Sequence, residues 1–405
     1  MKQLIVLLFF IQSLTAALTF NENDQHELTI LKTFDIDSTF MNDQVLLDMI
    51  ERYKTTHRKR SFFRSMDKAY LYIPMMKDIL TKSGLPSEFL FLAMAESNFS
   101  TKALSSKKAS GPWQFMPLTG EVYGLKIDEY VDERRDIMKS TQAAAKYLTA
   151  LEKRFGKWYL AALAYNCGEG RLDRAIKKAK SNKLEVLLDP KKAYIPKETR
   201  LYIRKILTLA IMGSDERYLI RNKYGYLLNR SNTYSIVPIE VPSGERLSRV
   251  AKSLNLPTRE LIKYNHHLKY DFIPPYGKNY TIYIPYDTLS DFKQNYKPTP
   301  LKDIYFIHTV KSGENLSALG RKYRISYKKI MDFNQLKSTR LSLNQRLVIP
   351  VNTPPLTLDA LYVVKPGDTL ISIAKRFQIT VAELKEYNEL ASSMIRIGAK
   401  LHVFD

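Results

Sequence analysis

The stretch GLPSEFLFLAMAESNFS, Gly84 to Ser100, carries seven consecutive apolar residues, Phe89 to Ala95, and then a single acid, Glu96. Gly84-Leu85-Pro86 reads as a stop followed by a proline suited to a first helical turn, which predicts a helix from about Pro86 to Ser97. A helix that is apolar nearly all round belongs inside a core. Phe89, Leu92, Ala93 and Glu96 follow the i, i+3, i+4, i+7 spacing, so the carboxyl shares a stripe with core side chains. It also falls in the last turn, where the helix dipole disfavours negative charge. Burial and dipole act in one direction, and the pKa of Glu96 is expected to be raised. A carboxylic acid held neutral near pH 7 suits a general acid acting on a glycosidic oxygen. The alternative is an acid paired with a Lys or Arg at a frayed helix end.

Around this helix the pattern stays helical. Ser140 to Phe155, Trp158 to Tyr165, Leu172 to Lys180 and Thr199 to Met212 all lack strand alternation. Residues 76–213 therefore read as one mostly α-helical domain. Residues 18–75 read as an N-terminal helical segment, with amphipathic pieces at Val45 to Tyr53 and Phe62 to Met76. Residues 214–233, rich in Tyr, Arg and Asn, read as a connector.

A chain of 405 residues predicts two to four units. With 45% hydrophobic and 26% charged residues it is a folded rather than a disordered chain. Residues 1–17 have the layout of a secretory signal peptide: Lys2, the apolar run Leu4 to Ile11, then Thr15-Ala16-Ala17. That run is shorter than the ~20 residues of a stable membrane span, so cleavage near Ala17 and export are expected. The only cysteine, Cys167, excludes an internal disulfide and leaves no N-terminal thiol for lipid attachment, so a lipoprotein is not expected. The formal charge of +22 favours an anionic partner. In an exported protein this points to an acidic surface polymer or membrane rather than nucleic acid. The basic run Lys54 to Arg60 reads as a solvated helix end before a nucleic-acid patch.

The C-terminal part repeats. PSGERLSRVAKSL from Pro242, KSGENLSALGRKY from Lys311 and KPGDTLISIAKRF from Lys365 each place a glycine before an acid, with a leucine three positions after the glycine. The spacing from glycine to asparagine is 21 in every copy: Gly244 to Asn265, Gly313 to Asn334, Gly367 to Asn388. Each copy opens and closes with a strand-like run and holds two short helical stretches between, giving β-α-α-β units at 234–285, 305–350 and 361–405. Tyr286 to Ile304 and Val351 to Ala360 read as spacers. The middle copy, Tyr305 to Pro350, has nine Lys/Arg against two Asp/Glu, a net +7; the last, Leu361 to Asp405, has a net +1.

These units resemble LysM domains, small modules that bind N-acetylglucosamine-containing glycans such as peptidoglycan and chitin. The first departs from the pattern, with 20 residues from Asn265 to Pro285 where Asn334 to Pro350 takes 16. The resemblance implies that loops carrying Gly313, Asn334, Gly367 and Asn388 lie near glycan. As individual side chains these residues also suit a turn needing positive φ and a helix cap.

Four further motifs accompany Glu96: Ser105; Gly111-Pro112-Trp113-Gln114-Phe115-Met116-Pro117; Ala164-Tyr165-Asn166-Cys167-Gly168; and Ile195-Pro196-Lys197-Glu198-Thr199-Arg200-Leu201-Tyr202. In order and spacing they resemble the family 1 lytic transglycosylases, most closely the membrane-bound D type, which joins this catalytic domain to C-terminal LysM repeats. Pro112 departs from the family, which has a larger aliphatic residue there. The resemblance implies a lysozyme-like catalytic domain with Glu96 as the catalytic acid. It implies that Ser105 and Gln114 position substrate, that Tyr165 and Asn166 contact sugar, and that Tyr202 bonds near the acid. The implied reaction cleaves the β-1,4 bond between N-acetylmuramic acid and N-acetylglucosamine without water, leaving a 1,6-anhydro sugar. No cofactor is implied. A hydrolytic muramidase of the goose-lysozyme kind and a non-catalytic peptidoglycan-binding protein are the competing readings. His266-His267 lacks companions at ligand spacing, so surface or turn histidines are expected and no metal. The expected location is the periplasm or cell wall, and the expected partner is peptidoglycan.

Overall fold

The computed structural model describes residues 22–228, 235–275, 279–298, 304–351 and 360–403, apart from 324, 335, 378–380, 382–383, 386–387, 389 and 391. The leader at 1–17 lies outside the described residues, as does most of the spacer after Val351. Among the described residues no helix is long and apolar enough to cross a membrane.

The N-terminal region is helical. It begins with α1 (Glu22–Thr33), α2 (Gln44–Thr55), α3 (His57–Ala69) and α4 (Ile73–Lys82), followed by α5 (Leu90–Ser97) and α6 (Pro117–Val122). Then come α7 (Ile137–Phe155), α8 (Trp158–Cys167), α9 (Glu169–Ala179), α10 (Leu184–Leu187), α11 (Lys197–Ser214) and α12 (Glu216–Arg221). The apolar stretch Phe89 to Ala95 leads into and forms most of α5, with Leu90 to Ala95 all buried. Pro86 does not enter the helix; it precedes a 3-10 turn at Ser87–Phe89 that leads into it. The helix stops because Asn98 and Phe99 both turn left-handed, at φ 55° and 62°. The long α11 packs across α5 so closely that a Cβ on Gly213 would lie 2.2 Å from the Phe91 ring. On its other side, Arg204 pairs with Asp43 at 2.6 Å, and the same carboxylate caps α2 through the Leu46 N–H.

Two expectations need correction. The tyrosine-rich segment after residue 213 is not a connector as far as residue 228: it forms α12 and a 3-10 turn at Gly225–Leu228. Tyr218 and Tyr224 stack on Phe63 at 5.7 and 4.0 Å, because a tyrosine ring buries like an apolar group even in a polar-looking stretch. The spacer after Pro285 likewise contains a helix, Leu289–Asn295, described below. The basic run Lys54 to Arg60 straddles the α2–α3 junction, where Thr56 caps α3, and is largely exposed.

The first repeat holds β1 (Ile236–Pro242), α13 (Leu247–Ser253), α14 (Thr258–Tyr264) and β2 (Asn279–Pro285), then α15 (Leu289–Asn295), whose Asn295 reaches the Ser253 carbonyl at 3.3 Å. The second holds β3 (Ile304–Thr309), α16 (Leu316–Lys322), α17 (Tyr327–Phe333) and β4 (Arg346–Val351); the third shows β5 (Ala360–Val363), α18 (Leu370–Arg376) and β6 (Lys400–Val403). Within each repeat the two strands form an antiparallel or two-stranded sheet, with Tyr305 opposite Pro350 in the second and Tyr362 opposite Leu401 in the third. The second repeat has a core of its own around Leu316, Leu319, Ile330 and Ile349, and the third around Leu370, Ile373, Leu384 and Leu401.

The chain falls into two compact units. One joins the helical region to Leu247–Asp271 and Thr281–Tyr296; the other takes Val241–Arg246, Phe272–Tyr280 and the later repeats.

Candidate active site

Glu96 occupies the last full turn of α5, held there by the buried run before it. Tyr202, buried on α11, donates to Glu96 Oε1 at 2.5 Å. Burial pushes the Glu96 pKa up to about 7; the Tyr202 hydrogen bond and the Lys205 charge oppose this, and Glu198 adds to it weakly. Glu96 keeps some exposed surface, so its carboxyl is enclosed by protein without being sealed from solvent. Lys205 donates its ammonium to the Ala95 carbonyl at the end of α5, and burial lowers its own pKa. Tyr165 on α8 is close enough for the Glu96 charge to raise its pKa, after burial, well above the ordinary value.

A loop framework surrounds this pair of helices. Ser97 donates to the Pro112 carbonyl at 2.8 Å, so the proline that cannot donate is used as an acceptor. Fully buried Trp113 donates to Thr141 on α7 at 2.9 Å, and its carbonyl accepts from Tyr165 at 2.7 Å. Gly111 has φ 80°, and a Cβ there would stand 1.7 Å from the Arg134 carbonyl oxygen. Arg134 is buried; it pairs with both oxygens of Asp132 at 2.8 Å and donates to the Lys108 and Phe115 carbonyls. This one side chain thus fixes the loop that carries Gln114.

The candidates drawn from sequence fall into two groups. Glu96, Tyr165 and Tyr202 lie together, and Asn166 joins them through Thr199 of α11, which donates to its Oδ1 at 2.8 Å. Ser105 and Gln114 remain on the loop framework. The Ser105 hydroxyl accepts from the Ala109 N–H at 2.9 Å, and Gln114, at φ 49°, donates to the Gly111 carbonyl. Both are half-buried.

Sequence reasoning missed Thr199 and Lys205, although with Tyr202 they form an i, i+3, i+6 series on one face of α11. It also missed Tyr147, whose ring leans on Tyr165 at 5.2 Å and on Tyr123 at 4.8 Å. His266 and His267 are turn residues, one of the two placements expected, but not surface ones: the first is half-buried and the second buried. Among the described residues no cluster of three His, Cys, Asp or Glu could hold a metal ion.

In the repeats, Gly313 and Gly367 have φ 82° and 88° with open space around them. The Asn334 amide is occupied by the fold: its nitrogen donates to the Ile330 and Val348 carbonyls, and its oxygen accepts from the Val348 N–H. Asn388 donates to the Leu384 carbonyl in the same way. Asn334 ties the second helical stretch of its repeat to β4, and Asn265 ties its own to β2 through the Tyr283 backbone, which accounts for the fixed spacing of these two.

Residues 75–187 match the transglycosylase SLT domain family. Residues 235–300 match the family described as lytic transglycosylase MltD, LysM-like domain, and 308–350 and 362–404 match the LysM domain. The chain is 28% identical over 397 residues to the membrane-bound lytic murein transglycosylase D of Escherichia coli K12, covering 90% of this chain and 84% of that one. It is 35% identical over 95 residues to the cell wall-binding protein YocH of Bacillus subtilis 168, covering 24% of this chain and 32% of that one. Among solved structures, the 70 kDa soluble lytic transglycosylase of Escherichia coli is 21% identical with a TM-score of 0.29, over 37% of this chain and 25% of that one.

Proposed function

We infer that this chain, in which an SLT domain precedes an MltD-type LysM-like domain and two LysM domains, is a lytic murein transglycosylase of the D type. It cleaves the β-1,4 bond between N-acetylmuramic acid and N-acetylglucosamine and leaves a 1,6-anhydromuramic acid end. The observation that carries the reading is Glu96, an acid with a pKa of about 7 at the end of a buried helix, with one oxygen already bonded to Tyr202.

Protonated Glu96 gives its proton to the glycosidic oxygen as the bond from C1 to that oxygen breaks. The carboxylate so formed takes the proton of the muramic acid C6 hydroxyl while that oxygen closes on C1. Glu96 ends as it began, and no water is consumed. The Tyr202 hydrogen bond fixes Oε1 and leaves Oε2 to carry the proton. The Lys205 charge favours the carboxylate stage between the two transfers. A second carboxylate is not needed, since the internal hydroxyl replaces activated water and the 2-acetamido group supports the positive centre. Ser105, Gln114, Tyr165 and Asn166 hold the sugars in this reading. In the later repeats the turns at Gly313 and Gly367 meet glycan, and Asn334 and Asn388 shape those loops rather than touch sugar. The place of work is the cell envelope, and the leader read at 1–17 would export the chain to the periplasm or wall.

The test is mass spectrometry of sacculi digested by the wild type and by Glu96→Gln. Ends one water lighter than hydrolysed ends are expected from the wild type, and a loss of ~10²- to 10⁴-fold in rate from the variant. Reducing ends would assign a hydrolase instead, and undiminished activity in the variant would remove Glu96 from the chemistry.

A further inference from the structure

The first repeat differs from the others at the loop after its opening strand. Lys311 to Gly313 and Lys365 to Gly367 are exposed, whereas Ser243, Gly244 and Glu245 are buried. Part of the cover comes from the second repeat, whose Tyr305 ring packs on Phe272 at 4.6 Å and whose Phe333 ring lies 4.1 Å from the Arg246 guanidinium; the rest comes from the same repeat. The Gly244 N–H donates to the Ile273 carbonyl at 2.9 Å, the Ile273 N–H donates to the Glu245 carbonyl at 2.8 Å, and Arg246 forms a β-bridge with Phe272. The segment responsible lies between Asn265 and Pro285, the stretch that is longer than its counterpart in the second repeat.

The near end of that stretch is bound elsewhere. Leu268 forms a β-bridge with Val131, the Asp132 N–H donates to the His267 carbonyl at 2.8 Å, and the Lys269 N–H donates to the Tyr130 carbonyl at 2.9 Å. His266 Nδ1 shares a 2.7 Å hydrogen bond with the Thr101 hydroxyl. From β2, buried Tyr283 donates to the Asp136 carboxylate at 2.8 Å, the group that caps α7 through the Met138 and Lys139 N–H groups. What is held is therefore the segment 130–136, which contains Arg134, and the loop five residues beyond Glu96.

We propose that the first repeat reads no sugar and instead braces the wall of the catalytic site, its long loop closing its own glycan-facing turn at one end and pinning Thr101 and residues 130–136 at the other. The positioning half of this inference rests on Glu96 being the catalytic acid; the binding half does not.

Two measurements on the full chain test the halves separately. Hydrogen exchange of Glu96→Gln with and without a chitin oligosaccharide should show protection at residues 311–315 or 365–369 and none at 243–246. Protection at 243–246 would restore a sugar site to the first repeat and overturn the binding half. For the brace, Thr101→Val removes one hydrogen bond without removing volume. With a short soluble muroglycan fragment, it should raise KM about threefold to tenfold, with kcat per active molecule within about twofold, and Thr101→Ser should restore KM. A lowered melting temperature with KM unchanged would mean a structural contact only and would overturn the positioning half. Failure of Glu96→Gln to abolish cleavage would strike the catalytic reading and leave the exchange result standing.

Discussion

At Glu96 the sign of each influence is fixed by its chemistry. Burial raises the pKa to about 7, while Tyr202 and Lys205 hold it down. A general acid must carry its proton, so kcat/KM on a soluble substrate should fall as pH rises through about 7. Tyr202→Phe and Lys205→Met each remove an influence that favours the carboxylate. Both should move that fall to higher pH, and a pH–rate profile that moves the other way would remove Glu96 as the titrating group. The same shift has a consequence for stability. The folded chain keeps a proton that the unfolded chain has released, so Glu96 costs stability progressively from about pH 4.5 to above its folded pKa of about 7. Glu96→Gln should therefore gain about 1–3 kcal/mol at pH 8 and nothing at pH 4, measured by urea unfolding at both values.

Among the elements, α11 crosses α5 with no room to spare where Gly213 meets Phe91. Gly213→Ala has no free space to enter, and moving the Phe91 ring disturbs the helix that carries Glu96. It should cost about 1–3 kcal/mol, read as a lower urea midpoint; an unchanged midpoint would mean that the crossing is looser than this. α5 itself was legible from sequence because its evidence is local: an apolar run, a preceding glycine and proline, and an acid at i+7. The repeats were legible for a similar reason, since a 21-residue glycine-to-asparagine spacing recurs and every copy alternates strand and helix. The stretch 214–228 was not, because it turns on tyrosine rings stacking against Phe63, more than a hundred and fifty residues earlier. α15 was missed because seven residues give barely two turns of periodicity. The docking of His267 to Lys269 was illegible for a stronger reason: main-chain hydrogen bonds specify no side chain, so the pairing leaves almost no trace in composition.

Across the molecule, the positive charge is distributed unequally, with a net +7 on the second repeat and +1 on the third. Peptidoglycan stems carry carboxylates, so the second repeat should supply most of the long-range attraction to sacculi, and the sugar contacts proposed for the turns at Gly313 and Gly367 should survive added salt. Lys328, on α17, and Lys337, in the loop after Asn334, are both exposed and can be reversed in charge. Lys328→Glu with Lys337→Glu should weaken binding of the full chain to sacculi several-fold at ~0.05 M salt. The difference should shrink at ~1 M, where the Debye length falls to about 3 Å. Cleavage of a short soluble fragment should not change, because such a fragment reaches Glu96 without the repeats. Sedimentation of the enzyme with sacculi across a salt series measures the first two effects, and a release assay measures the third. If the doubly reversed chain bound as well as the wild type at low salt, the charge of the second repeat would have no part in wall recognition, and the attraction would rest on sugar contacts alone.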